Sequence, residues 1–194
     1  MTVTGEDWSG QPSVLVPVKA FHRAKLRLAP ALSPERRQAL ARTMATQVVR
    51  SAAGLPVAVV CDDTQVADWA TSLGALVVWE PGRGLNRAVQ EGVRRLRDLG
   101  VRHVTVAAGD LPLATDLRWV HEFDGITLVP DRRRDGTNVI GLPARTSFVF
   151  SYGPGSFARH LEQAQRSGCP VRVVHSSTLA WDVDLPEDLA GIGT

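Results

Sequence analysis

Short apolar segments alternate with amphipathic stretches along the first half of the chain. Four of them have the length and composition of strands buried on both faces, and they lie at 14–18, 57–61, 75–79 and 103–107. Between them, apolar residues recur every three or four positions, which predicts helices that follow Ser33 and span 63–73 and 85–99. This alternation predicts an α/β fold with a mostly parallel central sheet.

The helix after Ser33 has the clearest boundaries. Ser33 suits the N-cap position, Pro34 suits the first helical position, and Gly54 with Pro56 ends the pattern. The second half is less regular: it predicts strands at 126–129, 138–142 and 171–175 and helices at 115–123 and 156–167. We expect Ser156 to cap the last of these helices, and a helical turn to begin at Pro186.

Composition is that of a soluble globular protein, with 44% hydrophobic and 22% charged residues among 194. Residues 1–12 read as a flexible arm and 13–194 as one domain. A net charge of +2 does not indicate a nucleic-acid binder, and no apolar run is long enough to cross a membrane. Cys61 and Cys169 lack metal-binding or redox spacing, so we expect a cytoplasmic protein with Cys61 in its core.

Three polar stretches follow predicted strands. They cover 19–27, 109–112 and 131–137. In open α/β sheets, ligands bind beyond the carboxyl ends of the strands, so we expect these stretches to form one site. The chain has no Gly-x-x-x-x-Gly-Lys phosphate-binding loop, which argues against a P-loop enzyme.

Three aspartates are candidate metal ligands. Asp110 follows the strand at 103–107, while Asp182 and Asp184 alternate and so share one face of an extended segment. Carboxylates of this kind bind Mg²⁺ together with substrate phosphates. Two structural alternatives stay open at this point. Asp110 could cap a turn, and Asp184 could cap the turn that begins at Leu185.

Cations and a glycine-rich segment are candidates for binding phosphate groups. Lys19, Lys25 and Arg27 lie in the loop after the first strand, where they could hold a triphosphate and stabilise departing pyrophosphate, or form a solvated basic surface. The segment 153–156 precedes a predicted helix, whose first backbone N–H groups could bind an anion with Thr137 nearby, although a simple turn is equally compatible.

Two further features have simpler interpretations. His160 lies one turn beyond Ser156 and could face the same site, but a surface histidine is the commoner case. The arginine run 132–134 is expected to be a solvated loop. The sequence has no Gly-x-Ser-x-Gly elbow and no paired Cys/His signature, so it indicates no protein nucleophile. If the acceptor is a phosphate, it is mostly dianionic at pH 7 and needs positioning and charge neutralisation more than a general base.

Seven motifs in order resemble those of the CofC/FbiD family, the 2-phospho-L-lactate or phosphoenolpyruvate guanylyltransferases of coenzyme F-420 biosynthesis. The resemblance runs from about Val14 to about Leu189. The motifs are Val-Pro-Val-Lys19, Ala-Lys25-Leu-Arg27-Leu, Gly-Leu-Asn86, Gly-Asp110-Leu-Pro, Pro-Asp131-Arg with Gly136-Thr137-Asn138, Gly153-Pro-Gly-Ser156-Phe and Asp182-Val-Asp184-x-Pro. Leu26 and Tyr152 depart from the residues common in that family, serine and phenylalanine.

The resemblance implies a single-domain, Rossmann-like nucleotidyltransferase of the glycosyltransferase-A type that uses GTP and Mg²⁺. It implies roles for ten residues. Metal would bind to Asp110, Asp182 and Asp184. The phosphorylated acid would bind to Thr137, Gly153 and Ser156. The nucleotide phosphates would bind to Lys19, Lys25 and Arg27, and the nucleoside would lie near Asn86. The catalytic set would be Lys19, Lys25, Arg27 and Asp110.

The expected reaction joins GMP from GTP to phosphoenolpyruvate or 2-phospho-L-lactate and releases pyrophosphate. Two alternatives are a metal-dependent sugar-nucleotide glycosyltransferase, since Asp182-Val183-Asp184 imitates an Asp-x-Asp motif, and a non-catalytic nucleotide-binding protein. The sequence does not identify the acid. The expected partners are GTP and the acid, with no nucleic acid or membrane, and the oligomeric state stays open with a homodimer as one option.

Overall fold

A computed structural model describes residues 8–82 and 84–192. Its centre is a seven-stranded sheet in the order β3-β2-β1-β4-β6-β5-β7. The strands are β1 (Pro12–Pro17), β2 (Val57–Cys61), β3 (Leu76–Trp79), β4 (His103–Ala107), β5 (Ile126–Pro130), β6 (Thr137–Pro143) and β7 (Val171–Val173). Only β6 runs antiparallel to its neighbours, β4 and β5, which confirms the predicted mostly parallel sheet.

Four α-helices cover the sheet: α1 (Pro34–Arg50), α2 (Thr64–Ser72), α3 (Gly84–Asp98) and α4 (Ser156–Arg166). Among the described residues, complete 3₁₀ segments lie at Phe21–Arg23, Leu26–Leu28, Arg118–Glu122 and Pro186–Ile192. The helix predicted at 115–123 is therefore only a 3₁₀ segment. Within the described ranges, no helix is long and apolar enough to span a bilayer.

The two faces of the sheet carry separate apolar layers. Strand β1 shows the alternation directly, since Val14 and Val16 join the layer under α1 and α2, while Leu15 joins the layer under α3 and α4. Cys61 is buried in the first layer, as expected. Because both faces are covered, functional groups can collect only at the strand ends.

The helix starts differ in how well the sequence predicted them. The hydroxyl of Ser33 accepts a hydrogen bond from the Arg36 N–H at 3.4 Å and Pro34 begins α1, as predicted. Helix α4 has Gly155 as its N-cap, in the left-handed conformation with φ of 70°, and Ser156 is its first residue. The prediction that Ser156 caps α4 is therefore wrong, because a glycine adopts the required turn without strain.

The arm predicted at 1–12 is wrong for the part that the structure describes, residues 8–12. Trp8 is only 1% exposed and packs in the layer under α3 and α4, and the Gly10 N–H donates to the Gly100 carbonyl at 2.9 Å. Burial of an indole ring is worth enough to fix a polar, glycine-containing segment onto the domain. Residues 1–7 lie outside the described residues.

We expect the free energy of unfolding to fall as the pH decreases from 6.5 to 4, because His103 on β4 is buried. Burial, reinforced by the charge of His121, lowers the pKa of His103 from 6.5 to about 4. The unfolded chain therefore takes up a proton on His103 that the folded chain does not, which costs about 3 kcal/mol of stability by pH 4. Urea unfolding of the wild type and of H103L at pH 7, 5.5 and 4 measures the free energy of unfolding. That free energy should fall less steeply with decreasing pH in H103L than in the wild type. An equally steep fall in both proteins would contradict the prediction.

Candidate active site

The three polar stretches meet at the carboxyl edge of the sheet, as the sequence predicts. The stretch 19–27 leaves the end of β1, where the Val18 N–H still bonds to the Val60 carbonyl at 3.0 Å. The stretch 109–112 leaves β4, and the Ala108 N–H bonds to the Asn138 carbonyl at 2.8 Å. Because β6 is antiparallel, its first residue, Thr137, lies at this same edge.

Lys25 stands between two of the predicted metal ligands. Its ammonium nitrogen lies 2.5 Å from Asp110 Oδ2 and 2.9 Å from Asp184 Oδ1, and its side chain is 10% exposed. Burial would lower the pKa of Lys25, but the charges of Asp110 and Asp184 outweigh it and raise the pKa above its usual value. Sequence reasoning expected Lys25 to face phosphates; the structure places it on the acids.

The backbone of Lys25 is left-handed, with φ of 55°. This conformation is uncommon for a residue with a Cβ atom and persists where the surroundings enforce it. The two ion pairs supply that enforcement, since they bury the ammonium group at the point where the loop turns back. Strained backbone of this kind is often found in functional loops.

Asp110 owes its position to the preceding glycine. A Cβ atom on Gly109 would lie 3.1 Å from the Pro17 carbonyl oxygen, a tight contact, so glycine lets this turn lie close against the end of β1. The hydrogen bond of the Asp110 carboxylate within the described ranges is to Lys25 rather than to backbone N–H groups. The alternative that Asp110 caps a turn is therefore not what the structure shows.

Asp182 is the most buried of the three carboxylates, at 9% exposure, and its Oδ1 atom has no hydrogen-bond partner within residues 8–82 and 84–192. Burial first, and the charge of Asp110 second, raise the pKa of Asp182. A buried, unpaired carboxylate oxygen beside a second carboxylate is suited to a cation. Among the described residues, however, no three acidic, histidine or cysteine side chains are already arranged around one point as metal ligands.

Asp188, which the sequence analysis did not identify, holds the segment that carries Asp182 and Asp184. It is fully buried, and its Oδ2 atom accepts the N–H groups of Asp184 and Leu185, both at 2.8 Å. The turn is thus capped by Asp188, and the alternative that Asp184 caps it is wrong. The signal in the sequence was an acid four residues after Asp184 in the first turn of a helix.

The arginine run is the cationic half of this arrangement. Arg132 and Arg133 both donate to Asp188 Oδ1, and Arg132 also donates to the Asp182 carbonyl at 3.1 Å and lies over the Trp181 ring. Burial would raise the pKa of Asp188, but the backbone N–H groups and Arg132 together hold it below its usual value. The prediction of a solvated loop is therefore wrong for Arg132, whereas Arg133 is exposed although it also reaches Asp188.

Thr137 and His160 form a buried pair. Thr137 Oγ1 lies 3.0 Å from His160 Nδ1, and the Ser151 N–H donates to His160 Nε2 at 2.9 Å. His160 is 0% exposed, and its burial, followed by the charge of Arg159, lowers its pKa to about 4. The expectation of a surface histidine is wrong, because α4 turns this residue inward.

The start of α4 differs from a bare anion site. The N–H of Gly155 bonds to Asp135 Oδ1, that of Ser156 to the Gly153 carbonyl, and that of Phe157 to the Asp135 carbonyl. These backbone donors, for which the sequence allows either an anion site or a simple turn, are thus already used. Ser156 is 2% exposed, and its hydroxyl makes no hydrogen bond within the described part of the chain.

Asn86, Lys19 and Arg27 differ in whether their polar side chains are already bound to other groups of the protein. The side-chain amide of Asn86 is paired with the backbone of Tyr152, accepting its N–H at 2.5 Å and donating to its carbonyl at 3.3 Å. It therefore links α3 to the segment beside His160. Lys19 and Arg27 are exposed at the sheet edge and form no ion pair with residues 8–82 or 84–192. Their contact with a nucleotide stays a prediction.

Comparisons with known proteins give a family match over nearly the whole chain. The family described as "Guanylyl transferase CofC like" matches residues 12–193. The phosphoenolpyruvate guanylyltransferase of Rubrobacter xylanophilus is 40% identical over 185 residues, covering 91% of this chain and 90% of the relative. The 2-phospho-L-lactate guanylyltransferase of Methanocaldococcus fervens is 29% identical over 186 residues, covering 92% and 83% of the two chains.

The fold also matches solved structures. The 4-diphosphocytidyl-2C-methyl-D-erythritol synthase of Anaerococcus prevotii superimposes with a TM-score of 0.62, covering 94% of this chain and 96% of that one, at 12% identity. At this identity the likeness concerns the fold alone. It confirms the nucleotidyltransferase-like fold expected from the sequence.

We expect D188N to destabilise the protein strongly. The substitution removes a buried negative charge that holds two guanidinium groups and two backbone N–H groups, a loss typically worth about 3–5 kcal/mol. Urea unfolding monitored by circular dichroism at pH 7 measures the change. The control is E162Q, which breaks the exposed Glu162–Arg166 pair and should cost less than about 1 kcal/mol. Equal effects of the two substitutions would contradict the role assigned to Asp188.

Proposed function

The chain belongs to the CofC-like guanylyl transferase family, and on that premise we propose that it joins the GMP unit of GTP to a small phosphorylated carboxylic acid and releases pyrophosphate. The relatives with this architecture are named for phosphoenolpyruvate and 2-phospho-L-lactate, and we propose the same substrate class and a place in coenzyme F-420 biosynthesis. The observation that carries the proposal is the cluster of Asp110, Asp182, Asp184 and Lys25 at the carboxyl edge.

The acceptor supplies its own nucleophile in this reaction. An oxygen of the acid's phosphate attacks the α-phosphorus of GTP, a new P–O bond forms, and the bond from the α-phosphorus to the bridging oxygen breaks. Pyrophosphate leaves with that oxygen and its electron pair, so no protein side chain is modified. A phosphate is mostly dianionic at pH 7, and what it needs is alignment and charge neutralisation.

Asp110, Asp182 and Asp184 would hold Mg²⁺. Support comes from Asp182, whose Oδ1 atom is buried and unpaired among the described residues, and from the hard oxygen donors that all three provide. When bound, the ion would neutralise negative charge on the phosphate groups. Asp188, Arg132 and the turn at Leu185 keep two of the three carboxylates in place before any ligand arrives.

Positive charge for the triphosphate would come from the loop after β1. Lys19 and Arg27 are exposed on the same edge and have no carboxylate partner within the described ranges, so their charges are free to bind a nucleotide. Lys25 has a second role, since its ammonium group keeps Asp110 and Asp184 together despite their like charges. The charge of Asp110 also raises the pKa of Asp182, which is buried beside it.

The phosphorylated acid would bind between Thr137, Gly153 and Ser156. Thr137 and Ser156 each present a hydroxyl group, and Gly153 has open space around its Cα atom, with no atom within 4 Å of a built Cβ position. Hydroxyl donors at a rigid helix start can orient a phosphate or a carboxylate. Because the backbone donors of α4 are already bonded, these side chains carry the recognition.

A product assay tests the reaction. The purified chain is incubated with GTP, MgCl₂ and, in parallel, phosphoenolpyruvate, 2-phospho-L-lactate or 3-phosphoglycerate, and products are identified by mass spectrometry. We expect a GMP adduct of one of the first two acids in equal amount to pyrophosphate. UDP-glucose and GDP-mannose serve as controls for the glycosyltransferase alternative. Hydrolysis of a sugar nucleotide without any GMP adduct would overturn the proposal.

The metal site has its own test in D110N and D182N. Each removes a charged oxygen ligand, so we expect pyrophosphate release to fall about 100-fold or more. The Mg²⁺-induced rise in thermal midpoint should also be lost, which reports binding independently of turnover. The control E162Q changes an exposed carboxylate that is paired with Arg166 and is not among the proposed ligands, and it should keep both signals. Near-normal turnover and a normal Mg²⁺ shift in D110N and D182N would contradict the assignment.

A further inference from the structure

His160 lies inside a cage of aromatic rings. Its ring centroid is 4.9 Å from that of Tyr152, 5.8 Å from that of Phe148 and 6.5 Å from that of Phe150. The residue is 0% exposed. A fully buried histidine in apolar surroundings is costly unless its two ring nitrogens are satisfied, and here each of them has a partner.

The two partners fix the tautomer of His160. Nε2 accepts the backbone N–H of Ser151, so this nitrogen carries no proton. In the neutral ring the proton must then be on Nδ1, which faces Thr137 Oγ1 at 3.0 Å. Because the Ser151 backbone N–H can only donate, the neutral tautomer with its proton on Nε2 would lose this hydrogen bond. His160 therefore donates to the Thr137 hydroxyl oxygen.

The Thr137 hydroxyl is left with its own proton available. Its oxygen accepts from His160, and the hydroxyl makes no second hydrogen bond within residues 8–82 and 84–192. A hydroxyl that already accepts becomes a better donor, since hydrogen bonds polarise one another. Its hydrogen is thus not used by another group among the described residues, and Thr137 keeps 4% of its surface exposed, where an anionic oxygen could approach.

A β-bulge gives Thr137 this orientation. On strands β5 and β6, Val129 lies opposite Val139 and the next residue, Pro130, lies opposite Thr137. Asn138 therefore has no residue opposite it on β5. Asn138 donates to the Leu179 carbonyl in the layer that also holds Val139, and Thr137 consequently faces α4. Bulges of this type re-aim side chains and are common beside active sites.

The start of α4 is fixed beside Thr137 by the same loop. Asp135, two residues before Thr137, binds the N–H groups of Gly155 and Phe157 through its side chain and its carbonyl. The Ser156 hydroxyl therefore lies on a helix start that is attached to the loop of Thr137. Two hydroxyl groups with available protons are thus held by one connected backbone unit.

We propose that His160 is a positioning residue that fixes the Thr137 hydroxyl as a hydrogen-bond donor to the anionic groups of the phosphorylated acid. This inference rests on the proposed function, because it assigns Thr137 to that substrate. His160 itself does not touch the substrate or exchange a proton with it. Its effect is confined to recognition of the acid and does not extend to GTP.

A matched pair of substitutions separates the two contacts of His160. In H160N the amide nitrogen takes the place of Nδ1 and can still donate to Thr137. In H160Q the amide oxygen takes the place of Nε2 and can still accept from Ser151, but the contact with Thr137 is lost. We expect H160Q to raise KM for the acid about tenfold and H160N to raise it less than about threefold. The KM for GTP should stay unchanged in both.

Thr137 variants complete the test. T137V should raise KM for the acid at least as much as H160Q, and the T137V/H160Q double variant should be no worse than T137V, because H160Q only releases the Thr137 donor that T137V removes. T137S keeps the hydroxyl group and should retain a near-normal KM. Thermal midpoints of all variants measure the structural cost separately from KM.

Several outcomes would overturn the inference. These are an equal KM for the acid in H160N and H160Q, additive effects in the double variant, or a ¹⁵N spectrum of the wild type with the proton on Nε2. Titration calorimetry with phosphoenolpyruvate and 2-phospho-L-lactate extends the test to binding without turnover. If the wild type binds an acid but makes no adduct, the proposed function fails while the H160N and H160Q affinities still decide the inference. If it binds neither acid, the inference fails.

Discussion

The ammonium group of Lys25 lies between the carboxylates of Asp110 and Asp184, and the rest of the site is arranged around that contact. Three carboxylates at one sheet edge repel one another, and the most buried of them, Asp182, has its pKa raised by burial and by Asp110. One buried cation reduces that cost and joins the loop after β1 to both acidic segments. Its uncommon left-handed backbone indicates that the contact is strong enough to shape the loop.

Fixed loops support this centre from two sides. On the acidic side, Asp188 binds Arg132, Arg133 and the backbone of Asp184, so the segment is held by buried charge. On the other side, beside Thr137, Asp135 ties the first turn of α4 to the loop before Thr137. Such preorganisation suits a reaction that needs alignment of two phosphates more than it needs a protein nucleophile.

Much of this architecture was predictable from residue patterns. Apolar runs located the seven strands, because buried strands need continuous hydrophobic residues, and helical periodicity located the four α-helices. Because ligands bind at the carboxyl ends of the strands in open α/β sheets, the sequence alone predicted that the three polar stretches lie together. The failures were local: Trp8 is buried in a polar segment, and Gly155 replaces Ser156 as the cap of α4.

The sequence by itself determined the fold class, the edge of the sheet where the polar stretches meet, and the family. These follow from short-range periodicity and from motifs, which are written along the chain. Only the tertiary structure decided that Lys25 pairs with Asp110 and Asp184, that Asp188 meets Arg132, and that His160 is buried against Thr137. Those partners are 85, 159, 56 and 23 positions apart, so their pairing depends on strand order and on one bulge rather than on local sequence.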